Sequence, residues 1–447
     1  MKLTEKYGLL TAISLVFGGC VGSGIFFKSD DILRLTNGNI SQAILAWCLG
    51  ALAMVFGALV FGEFAQRIND SSNGIVDYFE VAYGKLPAYL VGWFKWISYL
   101  LPLTAIVAWV SANYTTSLLA ETLNLKANVW MIASAYLAGS YALNYFAPKI
   151  SGKFQVSTVA IKCIPIFFIG VIGFTLGLKN GITLETFTAV LPNNEAGGLF
   201  AAVVSTAFAY EGWIVAVSVT KEVKNSKINM PKALLYGTLA VFAVYLLYFL
   251  GLTQLIEPAT ILEQGDNAPY QAVKTLLGNF GGALFTSLII VSCLGTMNGL
   301  AMASIRDPHS IAVRGQGPIP KKMSQIDRKT NIPVYGTIIS ALLAFVYLAL
   351  WFCSLTKVFG TFVDISEIPI VAIYTIYIFL YGWYMIHFKD LSFFKRFIIP
   401  TLATIGAGII LYGGMSNPNI GLYLFVSFGI TLFGLVFYRT NPAPLTE

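Results

Sequence analysis

Charged side chains are scarce in this chain: 28 Lys and Arg with 21 Asp and Glu make up only 11% of 447 residues. An average soluble domain carries about a quarter charged residues, so a water-facing surface of this size is excluded. Histidine is limited to His309 and His387, both near predicted loops, which leaves little material for a metal centre. The five cysteines (Cys20, Cys48, Cys163, Cys293, Cys353) lie in or beside apolar blocks with no CxxC spacing. They read as small packing residues and carry no disulfide framework. Basic residues never gather into a face between aromatic platforms, so the net charge of +7 does not point to nucleic acid. The deep residues offer neither a nucleophile with a base nor a metal set, so an intramembrane enzyme is not expected, and nothing calls for a cofactor.

Apolar residues make up 57% of the chain and fall in long blocks such as Ile97 to Val110, Ile166 to Leu178 and Leu239 to Leu252. Each block extends toward the roughly 20 residues that span hydrocarbon. Polar punctuation predicts twelve spans near 9–35, 41–66, 88–118, 128–146, 154–178, 197–220, 233–255, 278–305, 333–352, 362–386, 397–414 and 419–438. No connection is long enough for a separate soluble domain, so residues 1–447 read as one membrane domain. With the N-terminus inside, 20 of the 28 basic residues fall on the inner side, six outside, and Lys95 and Lys162 within spans. That excess predicts a multi-pass protein with both termini cytoplasmic. Met1 to Tyr7 lead into apolar residues without an A-x-A-like cleavage site, so the first span is expected to be kept.

Two spans carry interruptions. Span 1 contains Gly18, Gly19, Gly22 and Gly24 around Cys20-Val21-Gly22-Ser23-Gly24, and span 6 reads Phe208-Ala209-Tyr210-Glu211-Gly212-Trp213. Each alone fits tight helix packing of the small-xxx-small kind. Together they fall at corresponding places in spans 1–5 and 6–10, as expected for two inverted five-helix repeats with a binding site at the membrane midplane. Lipid cannot satisfy an unwound backbone, so it survives only against protein, water or ligand. Such a break offers N–H groups and a positive dipole end on one side and carbonyls on the other, matching a carboxylate and an ammonium.

The segments GSGIF at 22–26, VAYGKLPAYLVGW at 81–93, FAYEGW at 208–213, EVKNSKINMPKA at 222–233 and Asn298 to Pro320 occur in an order shared with a known family. The chain resembles the amino acid–polyamine–organocation superfamily, and within it the L-type amino acid transporters. The resemblance covers nearly the whole chain. It implies an all-α polytopic LeuT-type fold with repeats at about 9–178 and 197–386 and two further helices at about 397–438. It also implies amino acid transport by alternating access at the cell membrane, with the amino acid as ligand and the bilayer as surroundings. Carried over position by position, the substrate carboxylate meets N–H groups around Gly22, Ser23 and Gly24. The ammonium meets carbonyls near Cys20, Phe208, Ala209 and Glu211, and Phe208 is placed as an aromatic gate. Many relatives have a small residue or Asp where this chain has Glu211. In animal members a cysteine in the outer loop between spans 3 and 4 bonds a heavy subunit. Here that loop, about Ser117 to Ala127, has none, so no disulfide-linked partner is expected.

Charges inside the spans carry further expectations. A mid-span lysine costs at least about 2.5–3.5 kcal/mol on insertion scales, which makes Lys162 a functional candidate. Sodium-coupled proteins of this fold hold spans 1 and 8 together with a cation, and the resemblance puts a span 5 lysine near that place, implying transport without sodium. Glu211 has two readings, a polar group satisfied in the unwound segment or a proton or cation site in the cavity. Glu63 is expected to hydrogen-bond at the inner end of span 2. Lys95, between Trp93 and Trp96, is expected to snorkel to the interface. Arg306 and Asp307 open a basic loop, read first as a solvated face and second as an inner gate. The leading function is a sodium-independent exchanger of small or medium neutral L-amino acids. The alternative is a proton-coupled symporter or a carrier of cationic amino acids using Glu211. A channel lacks its polar lining here, and a receptor would use the same site without flux.

Overall fold

The computed structural model describes residues 7–68, 73–180, 198–217, 220, 223–358, 360, 362–365, 367–415 and 420–440. Met1 to Lys6 and Lys221, used in the orientation and leader expectations, lie outside the described residues. Helices account for the architecture: α1 (Leu9–Cys20), α2 (Gly24–Leu35), α3 (Ile40–Arg67), α4 (Ile75–Tyr83), α5 (Lys85–Leu123), α6 (Val129–Phe146), α7 (Pro148–Asn180), α8 (Gly198–Tyr210) and α9 (Trp213–Val217). The second half adds α10 (Ser226–Leu255), α11 (Pro258–Gln264), α12 (Ala268–Val313), α13 (Pro320–Met323), α14 (Val334–Leu355), α15 (Ile368–His387), α16 (Ile399–Met415) and α17 (Ile420–Phe433). Among the described residues, nine helical segments are long and apolar enough to cross a membrane, and ten if the bent pair α1 and α2 counts as one. This is a polytopic helical membrane protein.

Local chemistry explains the element ends. Asn39 caps α3 by accepting the Gln42 N–H at 2.9 Å, and Asn128 caps α6 through the N–H groups of Trp130 and Met131. Asn124 closes α5 in the left-handed region at φ 51°. The expected outer loop at Ser117 to Ala127 is shorter than the sequence suggests, because α5 runs on to Leu123. Likewise α12 is longer than 278–305: it begins at Ala268 and bends at Gly278, where φ is 71°.

Buried apolar residues fall into two groups. The larger gathers α1, α2, α3, α8, α10 and α15, and the smaller gathers parts of α5, α6, α12 and α14. α10 lies against α7 and α3, and α12 against α5 and α7. The α7–α10 crossing depends on glycine. A Cβ at Gly251 would overlap the Ile169 carbonyl oxygen and stand 2.7 Å from the Gly170 Cα. Gly251→Val should therefore cost about 1–3 kcal/mol by overpacking and lower the melting temperature in detergent by several degrees. Gly408→Ala, with nothing within 4 Å of the added carbon, should leave it unchanged or raise it slightly. Equal melting temperatures for the two variants would refute this account of the crossing.

Candidate functional site

The site grows from two helix breaks that meet. Val21 is extended at ψ 112°, and its N–H bonds to the Phe17 carbonyl at 2.8 Å, closing α1. α2 starts at Gly24, bent 48° from α1. The Ser23 carbonyl accepts the N–H groups of Phe26 and Phe27, so the N–H groups of Ser23, Gly24 and Ile25 head α2 with no turn before them. On the other side α8 stops at Tyr210, and Gly212 turns at φ 113°, a region open to glycine. A Cβ at Gly19 would lie 2.9 Å from the Gly212 carbonyl oxygen, and one at Gly24 would lie 2.6 Å from the Ala209 Cα. The two breaks therefore touch main chain to main chain.

Tyr245 of α10 ties them. Its hydroxyl lies 2.8 Å from the Cys20 carbonyl oxygen and 3.2 Å from that of Ala209, so one O–H proton is shared between carbonyls in the last turns of both half-helices. Its ring stacks on Tyr210 with centroids 5.4 Å apart. Sequence reasoning missed this residue. The signal for it was a tyrosine inside an apolar block, since a buried hydroxyl needs a partner.

A cavity of about 40 Å³ opens at the crossing, enough for a few waters. Gly19, Cys20, Ser23 and Gly24 line it from the first break, and Phe208, Ala209, Glu211 and Gly212 from the second. Tyr99, Leu103 and Val107 of α5 and Thr296 and Leu300 of α12 complete the wall. Gly22 stands outside the wall, against Thr296: a Cβ there would overlap the Thr296 hydroxyl. Phe208 is 8% exposed and meets Phe27 edge to face at 6.1 Å. Lys28 lies above both rings while pairing with Asp364 at 3.0 Å.

Two charges sit at the crossing. Glu211 Oε1 accepts the Tyr99 hydroxyl at 2.9 Å and the Tyr377 hydroxyl at 3.4 Å. Lys162 of α7 is fully buried, and its Nζ lies 3.0 Å from both the Gly18 carbonyl oxygen and the Thr296 hydroxyl. Thus Lys162 joins α7 to the end of α1 and to α12, and Thr296 is a second residue the sequence reading missed.

The snorkelling expected of Lys95 is overturned. Lys95 is 4% exposed, with Nζ 3.0 Å from Asn73 Oδ1 and 3.2 Å from Asp307 Oδ2. Trp93 and Trp96 are buried too, donating to the Ile430 carbonyl and the Ser340 hydroxyl inside the protein. Asp307 is 8% exposed and Arg306 is exposed, and both lie inside α12, which runs on to Val313, so they do not open a loop. Glu63 pairs with Lys395 at 2.9 Å.

The amino acid permease family model matches residues 7–437. The chain belongs to the amino acid permease family. The permease is 28% identical over 435 residues to a serine/threonine exchanger, SteT, of Bacillus subtilis, covering 96% of this chain and 95% of that one. It is 24% identical to the mouse b(0,+)-type amino acid transporter 1, covering 78% and 70%, and 26% identical to the human cystine/glutamate transporter, covering 76% and 67%. It shares its fold with the nucleobase-cation-symport-1 family transporter Mhp1, with TM-score 0.54, 12% identity and coverage of 95% and 94%. It is a membrane transporter and not an enzyme.

Main-chain geometry at the crossing sets the mutational pattern expected of the permease. Gly24→Val forces the breaks apart, and Gly22→Val displaces Thr296 from Lys162. Each should weaken substrate binding by roughly tenfold to a hundredfold with the protein folded and inserted. Ser23→Ala should weaken it less than about tenfold. Unaltered substrate affinity in Gly24→Val would remove span 1 from the site.

Proposed function

We propose that the permease exchanges small or medium neutral L-amino acids across the cell membrane by alternating access, without sodium. The observation that carries this reading is the cavity at the crossed breaks. Main-chain N–H groups of Ser23 and Gly24 head α2 on one side of it, and the carbonyl ends of α1 and α8 lie on the other. Such an arrangement is complementary to the carboxylate and ammonium that every amino acid carries. The likeness to a serine/threonine exchanger supports exchange and small side chains, and so does the modest size of the cavity. Phe208, over the site beside Phe27, is its aromatic gate.

Sodium independence rests on Lys162. Its ammonium bridges the Gly18 carbonyl and Thr296, so α1 and α12 are joined by a fixed positive charge in place of a bound cation. The architecture proposed is two inverted repeats, about 9–178 and 197–386, with two further helices at about 397–438 and both termini cytoplasmic. The turn after α5 holds no cysteine, which supports a chain that works without a disulfide-linked subunit. A second reading, proton-coupled symport or carriage of cationic amino acids, draws on Glu211 in the cavity wall.

Purified single chain in proteoliposomes should take up labelled amino acid only when amino acid is present on the far side, at equal rates in sodium and in choline. Uptake that needs sodium, a proton gradient or a second polypeptide would overturn the exchanger reading. Lys162→Ala leaves two acceptors unsatisfied at roughly 1–3 kcal/mol each, enough to shift a balanced two-state equilibrium about tenfold or more. Exchange by this variant should slow, or its apparent affinity should differ between the two faces. Kinetics identical to wild type would refute the role given to Lys162.

A further inference from the structure

Behind the cavity wall, Glu211 faces a column of phenols that the exchange reading does not use. Tyr374, Tyr377 and Tyr381 repeat on one face of α15, all fully buried, with neighbouring ring centroids 5.3 and 6.4 Å apart. Tyr384 continues that face and donates to the Lys395 carbonyl at 3.1 Å, beside the Lys395–Glu63 pair. The column rises about 1.5 Å per residue from the basic-loop end of α15 to the substrate cavity.

Its polar groups are incompletely used. Both hydrogen bonds to Glu211 from tyrosines end on Oε1, and Oε2 is buried without a hydrogen bond of normal geometry. The Tyr381 hydroxyl, against Gly57, is buried without one too. The Tyr374 hydroxyl and Trp213 indole N–H, which point toward each other, lack one of normal geometry as well. The titratable groups acting on Glu211 among the described residues are Tyr99 of α5, Cys20 of α1 and the three α15 tyrosines, and none is a cation. A carboxylate among hydroxyls and the Gly212 N–H, with Oε2 lacking a hydrogen bond of normal geometry and no ion pair to a lysine or arginine among the described residues, is built to hold a proton or water.

We propose that Glu211 and the α15 tyrosine hydroxyls behind it form a proton site coupled to the substrate cavity, so that amino acid binding displaces a proton from Glu211. This rests on the exchanger reading, because the displacing charge is the ammonium of an amino acid seated at the breaks. The proton sits on Oε2 while Oε1 keeps the Tyr99 hydroxyl, and it passes to a water molecule, giving hydronium and a carboxylate. An ammonium brought beside Glu211 favours the carboxylate. By linkage, a proton on Glu211 weakens amino acid binding by the same factor. Affinity is therefore highest with Glu211 ionised and falls as pH drops through its titration, by at most about tenfold per pH unit for one proton.

The test is calorimetry of L-serine binding to the purified full chain, at one pH in two buffers of different ionisation heat, with affinity followed against pH and counterflow measured in liposomes. Wild type should release up to one proton per serine and bind more weakly as pH falls. Glu211→Gln should release none and bind with pH-independent affinity. Tyr377→Phe removes a donor to the carboxylate, so its pH midpoint should move upward. Equal heats in both buffers with pH-independent affinity in wild type, or full proton release from Glu211→Gln, would overturn the inference. If serine exchanges with no linked proton, this inference alone falls. If it neither binds nor exchanges, the exchanger reading falls with it.

Discussion

A backbone that stops being helical inside a membrane must find partners for its N–H and C=O groups within the protein, and the rest of this structure follows from that constraint. Two such stops, at Val21–Ser23 and Glu211–Gly212, are laid against each other so closely that Gly19, Gly24 and Gly212 have no room for a side chain. Tyr245 supplies one hydroxyl to the carbonyls of both. The N–H groups at the head of α2 have no helical turn before them, and Ser23 and Gly24 line a small cavity. The cavity thus lies where the two breaks meet and share their hydrogen-bonding capacity.

The buried charges obey the same rule of local satisfaction. Lys162 lies between a carbonyl of the broken helix and a threonine of α12, and Lys95 between Asn73 and Asp307. Lys28 pairs with Asp364 above the aromatic cover of the cavity. Each lysine joins segments distant in sequence, so each makes a contact between them conditional on charge. Losing one partner would leave an ion stranded in low dielectric, which is more damaging than losing an apolar contact of equal area. Between these junctions the apolar groups around α3 and α10 and around α12 and α14 hold the helices together.

Much was legible before folding was considered. The scarcity of charge and the length of the apolar blocks settled that the chain is a polytopic membrane protein. A glycine cluster marked the first break, and a glycine beside a mid-span carboxylate marked the second. Lys162 stood out because a mid-span ammonium is costly. The ordered segments from GSGIF to the region after span 8 pointed to the family.

Other features depended on which helices meet. Thr296 and Tyr99 are ordinary members of apolar or mixed stretches, and Tyr245 is marked only by a hydroxyl inside an apolar block, which does not say what it will bond. They acquire roles because α10, α12 and α5 converge on the breaks. Lys95 read as an interfacial residue because two tryptophans flank it, yet Asp307, more than 200 positions away, approaches it at 3.2 Å and keeps it inside. Composition and periodicity thus determined the membrane environment, the polytopic helical character and the places where helices break, since those follow from transfer free energies and local backbone freedom. The tertiary structure alone decided which buried polar atoms found partners and which were left to face the cavity, because hydrogen bonds are short and their partners come from segments far apart in the chain.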